Sequence, residues 1–311
     1  MLVTPMTASF IDVKSVLFAA DFSPASDRLL RYAAAIARIH GAQFFVAYVA
    51  APDVYNIGCA GAVRSAVETA RRDSEQLEQE LLQNGALAGL RHEFIVREGD
   101  TRDQLEQIVR ETRVDLLVIG ARSKETAGRH LGTTARHLFC NADCHVLTMS
   151  AGPDLDSPAD RGQEIRSLLF ATDFGMASRH ALPYAVSLAN RTGASLTLVH
   201  VLPTIPAAEA VRLSVPAKDM TQIHEDARLA SFRRLEELAS TQTALVVRPD
   251  FAVTFGIASQ QILRVAELRK TDIIIMGLNR STRAETASRL PWATAHEVVS
   301  GADCPVLTIR C

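Results

Sequence analysis

Short apolar runs alternate with longer amphipathic ones along the whole chain, a pattern that predicts alternating strands and helices. Residues 15–20 form a compact apolar run closed by Asp21. Residues 26–39 then carry Leu29, Leu30, Ala33, Ile36 and Ala37 at helical spacing before Gly41 stops the helix. The same reading gives strands at 43–49, 91–96, 115–119 and 145–149, and helices at 62–83, 101–112 and 132–140. Beyond residue 165 it gives strands at 167–172, 195–201, 244–251, 272–276 and 306–309, with helices at 178–192, 220–241, 258–269 and 292–300. Strands written as continuous Val/Ile/Leu runs and separated by helices predict an α/β fold with parallel sheets covered on both faces. Each crossover is expected to be right-handed.

The pattern occurs twice. VLFAADF (16–22) is answered by LLFATDF (168–174), DLLVIG (115–120) by DIIIMG (272–277), and ADCHVLTM (142–149) by ADCPVLTI (302–309). The offsets grow slowly: 173 − 21 = 152, 277 − 120 = 157 and 304 − 144 = 160. Three landmarks in one order mean a duplicated domain, because the period is far too long for a solenoid unit. The expected organisation is a first domain over 1–150, a linker over 151–164 rich in Pro, Gly, Ser and Asp, and a second domain over 165–311.

Composition narrows the function without choosing it. The chain has 311 residues, 48% hydrophobic and 22% charged, enough for two ordinary globular cores. A net charge of −2 offers no broad basic field for nucleic acid or an anionic membrane. No apolar run approaches the ~20 residues of a membrane span, and the N-terminal stretch lacks the form of a secretory signal. Five scattered cysteines, Cys59, Cys140, Cys144, Cys304 and Cys311, argue against a disulfide framework and for a reducing compartment. The expectation is a cytoplasmic protein that neither binds nucleic acid nor enters a membrane.

In an open parallel sheet, ligands bind at the carboxyl ends of the strands where the winding reverses. In the first half those ends are Ala19–Ala20–Asp21, Tyr48–Val49 and Ile119–Gly120. After Gly120 comes a polar loop with Arg122, Lys124 and Arg129, and then Gly132–Thr133–Thr134 opens a helix. Backbone N–H groups at a helix start, with a hydroxyl and nearby cations, suit an anion. The same residues also serve as an ordinary turn and an ordinary helix cap.

With Asp21 and the stretch VIGARSKETAGRHLGTTARHLFCNADCHVLTM in hand, each half resembles a universal stress protein domain. The resemblance implies two tandem Rossmann-like domains of the adenine nucleotide alpha hydrolase-like type, each a five-stranded parallel sheet with helices on both faces. It covers nearly the whole chain. In ATP-binding members the phosphate loop reads G-x2-G-x9-G-[ST]. Here Gly120 matches the first glycine and Gly132–Thr133 the closing pair, Ser123 stands at the second glycine, and the spacer 124–131 is one residue short. The resemblance implies that Ala19, Ala20, Asp21 and Val49 contact adenosine while Gly120, Ser123, Gly132 and Thr133 surround the phosphates. The implied function is that of a stress-response regulator or sensor with ATP in its first domain. A scaffold with both loops vestigial and a slow ATPase are the alternatives. No catalytic base can be named. The family also implies an intramolecular pseudo-dimer in which strands 145–149 and 306–309 pair, with further homo-oligomerisation left open.

The second half keeps Asp173 and Val201 but changes the loop, placing Arg280 opposite Ser123, Trp292 opposite Gly132 and Ala293 opposite Thr133. A tryptophan there would fill the space for a phosphate, and Arg280, Arg283 and Arg289 read either as a solvated loop or as side-chain anion ligands. The pattern His137, Cys140, Cys144, His145 evokes zinc, but its spacing spreads over a helix and a strand start, so no metal site is expected. His200, opposite Tyr48, is expected to pack with its polar edge bonded at the strand end. The motifs GxSxG, HExxH and GxxxxGK[ST] do not occur.

Overall fold

The computed structural model describes residues 13–21, 24–50, 60–83, 85–121, 131–149, 165–204, 217–242, 245–246, 248–279 and 293–311. It divides into two compact units. The first holds β1 (Ser15–Ala20), α1 (Pro24–His40), β2 (Gln43–Ala50), α2 (Ala60–Gln83), β3 (Arg91–Glu98), α3 (Thr101–Thr112), β4 (Leu116–Gly120), α4 (Thr133–Asn141) and β5 (His145–Met149). The second holds β6 (Ser167–Ala171), α5 (Met176–Thr192), β7 (Ser195–Leu202), α6 (Ala217–Ser240), β8 (Asp250–Phe255), α7 (Ala258–Leu268), β9 (Ile273–Leu278), α8 (Ala293–Gly301) and β10 (Val306–Arg310).

The strands of the first unit lie in the order β3-β2-β1-β4-β5 and those of the second in the order β10-β9-β6-β7-β8, with parallel neighbours. Each central strand is buried on both faces, and its composition follows. Val16, Leu17 and Phe18 of β1, Leu116 to Ile119 of β4, and Ile273 to Ile275 of β9 are all buried. Only helices above and below can shield both faces of such a strand. The edge strand β3 instead alternates, exposing Arg91, Glu93 and Glu98, charges that discourage further strand pairing.

One expected element moves. The apolar run around Leu245 and Val246 suggests a strand over 244–251, yet β8 is Asp250–Phe255 and Val246 is 80% exposed. Pairing overrides local hydrophobicity here: Thr197 of β7 registers with Asp250, and Leu202 with Phe255. Gly256 then ends the strand at φ +136, as Gly99 ends β3 at φ +131, conformations that side chains disfavour. The offset, 256 − 99 = 157, equals that of Gly120 and Gly277, so the turn glycine marks the duplicated position that the apolar run obscures.

The amino edges of the two sheets are closed by one carboxylate each. Asp115 Oδ2 accepts from Lys14 N (2.7 Å), Ser15 N (3.0 Å) and Ser15 Oγ (3.1 Å), while its backbone bonds Ser15 O and His145 N. Asp272 Oδ2 repeats this with Arg166 N (2.8 Å) and Ser167 N (2.9 Å). Replacing Asp272 by Ala removes the acceptor for both N–H groups. Because water reaches this edge, we expect a loss of about 2 kcal/mol of stability in the second unit. Urea unfolding of the full chain, followed by hydrogen exchange at β6 and β9, measures it; an unchanged transition would contradict the assignment.

Candidate functional site

The parallel register carries Asp21, Val49 and Gly120 to one edge. Ala20 of β1 pairs with Tyr48 of β2, and Phe18 of β1 pairs with Val118 of β4. Carried on along the strands, these registers set Asp21 beside Val49 and Gly120 beside Ala20, on adjoining strands with β1 in the middle. From β1 the chain winds outward to β2 and β3, then returns to β4 on the other side, so β1 marks the reversal where open sheets bind ligands. Exposure changes along the strand: Val16, Leu17 and Phe18 are buried, whereas Ala19, Ala20, Asp21, Val49 and Gly120 are half-buried. The Asp21 N–H points back to Ser26 Oγ at 3.5 Å, tying the strand end to the first turn of α1.

Beyond Gly120, buried Ala121 donates its N–H to Met149 O (2.8 Å), and its carbonyl accepts the Gly132 N–H (2.8 Å). Ala121 and Gly132, eleven positions apart, therefore lie side by side. Ser123 and the cations Arg122, Lys124 and Arg129 lie outside the described residues. Gly132 caps α4 with φ −59 and ψ 157, which any residue adopts, and its carbonyl accepts from Arg136 N. The Gly132 N–H is thus committed within the fold. The N–H groups of Thr133, Thr134 and Ala135 follow in the first turn, where an α-helix supplies no internal acceptor.

In the second unit the end of β6 is bonded into the start of α5. Asp173 Oδ1 accepts from Gly175 N (2.8 Å) and Ser178 Oγ (2.6 Å), which closes a tight turn into α5. His200 Nδ1 donates to Thr172 O at 2.8 Å, the strand-end bond expected of it, and the ring packs on Phe174. Gly277, the counterpart of Gly120, has a reason to be glycine that sequence spacing could not supply. A Cβ on it would lie 2.2 Å from Ala177 O and 2.7 Å from Ser178 N. The first turn of α5 crosses the end of β9 at backbone contact. Trp292, Arg280, Arg283 and Arg289 lie outside the described residues, while Ala293 begins α8.

The zinc-like pattern resolves otherwise. His137 Nε2 is bonded to Glu106 Oε1 of α3, and Asn141 also reaches His137. Cys144 is buried at the start of β5, and Cys140, Cys144, Cys304 and Cys311 are thiols and not disulfides. Among the described residues no group of three or more His, Cys, Asp or Glu is placed to hold a metal. Loss of solvent, aided by Asp272 and Asp303, pushes the Cys304 thiol up to about 12, which keeps it protonated and unreactive at neutral pH. No described helix is long and apolar enough to cross a membrane. The Glu106–His137 bond and the Gly277 contact escaped the sequence reading because each joins residues far apart in the chain.

The universal stress protein family model matches residues 12–149 and again residues 164–310. Among solved structures, a universal stress protein from Archaeoglobus fulgidus superposes with a TM-score of 0.68 at 18% identity, covering 96% of this chain and 97% of its own. A putative universal stress protein from Pseudomonas aeruginosa gives 0.60 at 16% identity, covering 96% and 93%. A functionally unknown protein from Pseudomonas aeruginosa gives 0.62 at 16%, covering 96% and 92%. At these identities the likeness is one of fold. No curated protein matches the chain.

The backbone contact at Gly277 is directly testable. Gly277→Ala should destabilise the second unit by about 3 kcal/mol, since neither Ala177 O nor Ser178 N can move without shifting the helix start. A thermal unfolding transition unchanged by the substitution would refute the contact.

Proposed function

The chain belongs to the universal stress protein family, carrying its domain twice, and on that premise we propose that the first unit binds an adenine nucleotide, ATP, and that the protein acts as a regulator or sensor in a stress response. The observation that carries this reading is the arrival of Asp21, Val49 and Gly120 together at the reversal point of the sheet, with the start of α4 tied to the end of β4 by the Gly132 N–H bond to Ala121 O. In this reading the Asp21 carboxylate accepts hydrogen bonds from the nucleoside. The Val49 backbone meets the adenine edge, and Ala19 and Ala20 form the floor. The phosphates take the N–H groups of Thr133, Thr134 and Ala135 and the Thr133 hydroxyl, favoured by the positive end of the helix dipole. Gly120 and Gly132 leave space, and Ser123 contributes a hydroxyl where the family has glycine.

The second unit is read as the non-nucleotide half. Its loop departs from the family's phosphate pattern, with Trp292 at the place of Gly132 and Ala293 at that of Thr133. ATP acts here by binding: a ligand at 100 times its Kd stabilises its site by ~2.7 kcal/mol, enough to bias a partner-binding surface. Catalysis is not part of the reading, which assigns no general base. The reading sets the protein where ATP is abundant, in the cytoplasm.

Calorimetric titration of the full chain with ATP and with adenosine tests the proposal. Asp21→Ala should weaken both ligands about tenfold or more, because it touches the part they share. Thr133→Val should weaken ATP and leave adenosine unchanged, while Gly132→Trp should abolish ATP binding by filling the space above α4. Each variant is first checked for an unaltered unfolding transition. Absence of heat from wild-type protein at millimolar ATP would overturn the reading in favour of a scaffold.

A further inference from the structure

Phe174 combines three unusual features. It is buried, it has φ +64, and it follows directly on Asp173 at the carboxyl end of β6. The other described non-glycine residues with positive φ, Arg113 and Lys270, answer to one another at the ends of α3 and α7 (270 − 113 = 157). A left-handed bulky residue costs on the order of 1–3 kcal/mol and persists only where its surroundings fix it. Here Thr172 Oγ1 accepts the Phe174 N–H (2.9 Å), and Arg179 Nε donates to the Phe174 carbonyl (3.2 Å). The Arg234 guanidinium lies 4.1 Å from the ring centroid, and the His200 ring contacts it at 4.4 Å between centroids.

The first unit provides an internal control. Along β1–β2 and β6–β7 the offset holds at 152, so Arg179 answers to Asp27 and His200 to Tyr48. The helices α2 and α6 are each 24 residues long and bury Ser74 and Ser231 at the same position, 231 − 74 = 157; Arg234 therefore answers to Leu77. Formal charge at the first and third of these positions goes from −1 in the first unit to +2 in the second, with histidine beside it. Neither arginine has a carboxylate partner among the described residues, and the adjacent Asp173 turns Oδ1 toward Gly175 and Ser178. Cation–π contact occupies a face of the Arg234 guanidinium, leaving its N–H edge for a ligand. Arg179 has its two terminal nitrogens left. The Nδ1–H bond to Thr172 O fixes His200 with Nε2 as its remaining polar atom.

We propose that the second unit binds a phosphate-bearing small molecule at the carboxyl ends of β6 and β7, through Arg234 and Arg179 presented on Phe174, with His200 at its side. This site is independent of the nucleotide reading of the first unit and uses none of the residues assigned there. Two guanidinium forks from different helices suit an oxyanion that accepts several hydrogen bonds at once.

The probes are inorganic phosphate and, as the carboxylate alternative, acetate. Each is titrated into the full chain by calorimetry, with thermal unfolding as a second readout. Phosphate should bind the wild-type protein and raise its unfolding temperature, and Arg234→Gln and Arg179→Gln should each weaken it about tenfold. Arg234→Lys should recover only part of the affinity, a difference that general packing loss would not produce. Thr133→Val, in the first unit, should leave this binding as it was; loss there instead would move the phosphate to α4 and overturn the proposal. Absence of binding at tens of millimolar phosphate, or binding indifferent to both glutamine variants, would also overturn it. Acetate bound as tightly as phosphate would refute the phosphate assignment.

Discussion

At the amino edge of each sheet a single carboxylate locks the central pair of strands: Asp115 joins β1 to β4, and Asp272 joins β6 to β9. Parallel strands share slanted, evenly spaced hydrogen bonds, so a pair held at one end has its register set along its length. With β1 and β4 in register, Asp21 and Gly120 must emerge together at the opposite edge, and Val49 joins them through the pairing of β1 with β2. The burial of Val16, Leu17 and Phe18 on both faces makes a slip expensive, since it would carry apolar residues into the open edge. The geometry of the candidate site is therefore determined about five residues away from it, by groups no ligand touches.

The two copies dress one scaffold with different residues at that edge. In the first, the strand end is half-buried and the helix α4 begins with backbone N–H groups that have no acceptor within the helix. In the second, Asp173 closes a turn, Gly277 lies against the backbone of α5, and Phe174 is held in a left-handed conformation by contacts from four residues. A duplicated domain permits such divergence, because each copy has its own core and the strand ends of one can change without altering the other.

Asp21 and Asp173 are the same residue after the same strand, and the backbone N–H of each reaches a serine hydroxyl five residues on, Ser26 and Ser178. Gly120 and Gly277 likewise share a position, and at Gly277 the glycine is demanded by a helix backbone at 2.2 Å from where a Cβ would stand. A glycine in a loop pattern therefore has two physical sources, a ligand that approaches or a chain that does.

The sequence by itself determined the architecture. Strands buried on both faces must be continuous apolar runs, helices covering them must be amphipathic, and those two periodicities are local and legible in residues such as Leu116 to Ile119 and Leu29 to Ala37. The repeat supplied the domain organisation because matched landmarks need no coordinates. It misplaced β8, where the apolar residues Leu245 and Val246 outweighed a half-exposed edge strand whose limits are set by pairing with β7. Only the tertiary structure decided which donors remain for a ligand. That the Gly132 N–H is bonded to Ala121 O, that Glu106 takes His137 from the zinc-like pattern, and that Arg234 lies on Phe174 are contacts between residues 11 to 60 positions apart. Such contacts depend on how the chain returns through space, and no local period of hydrophobic and polar residues encodes that return.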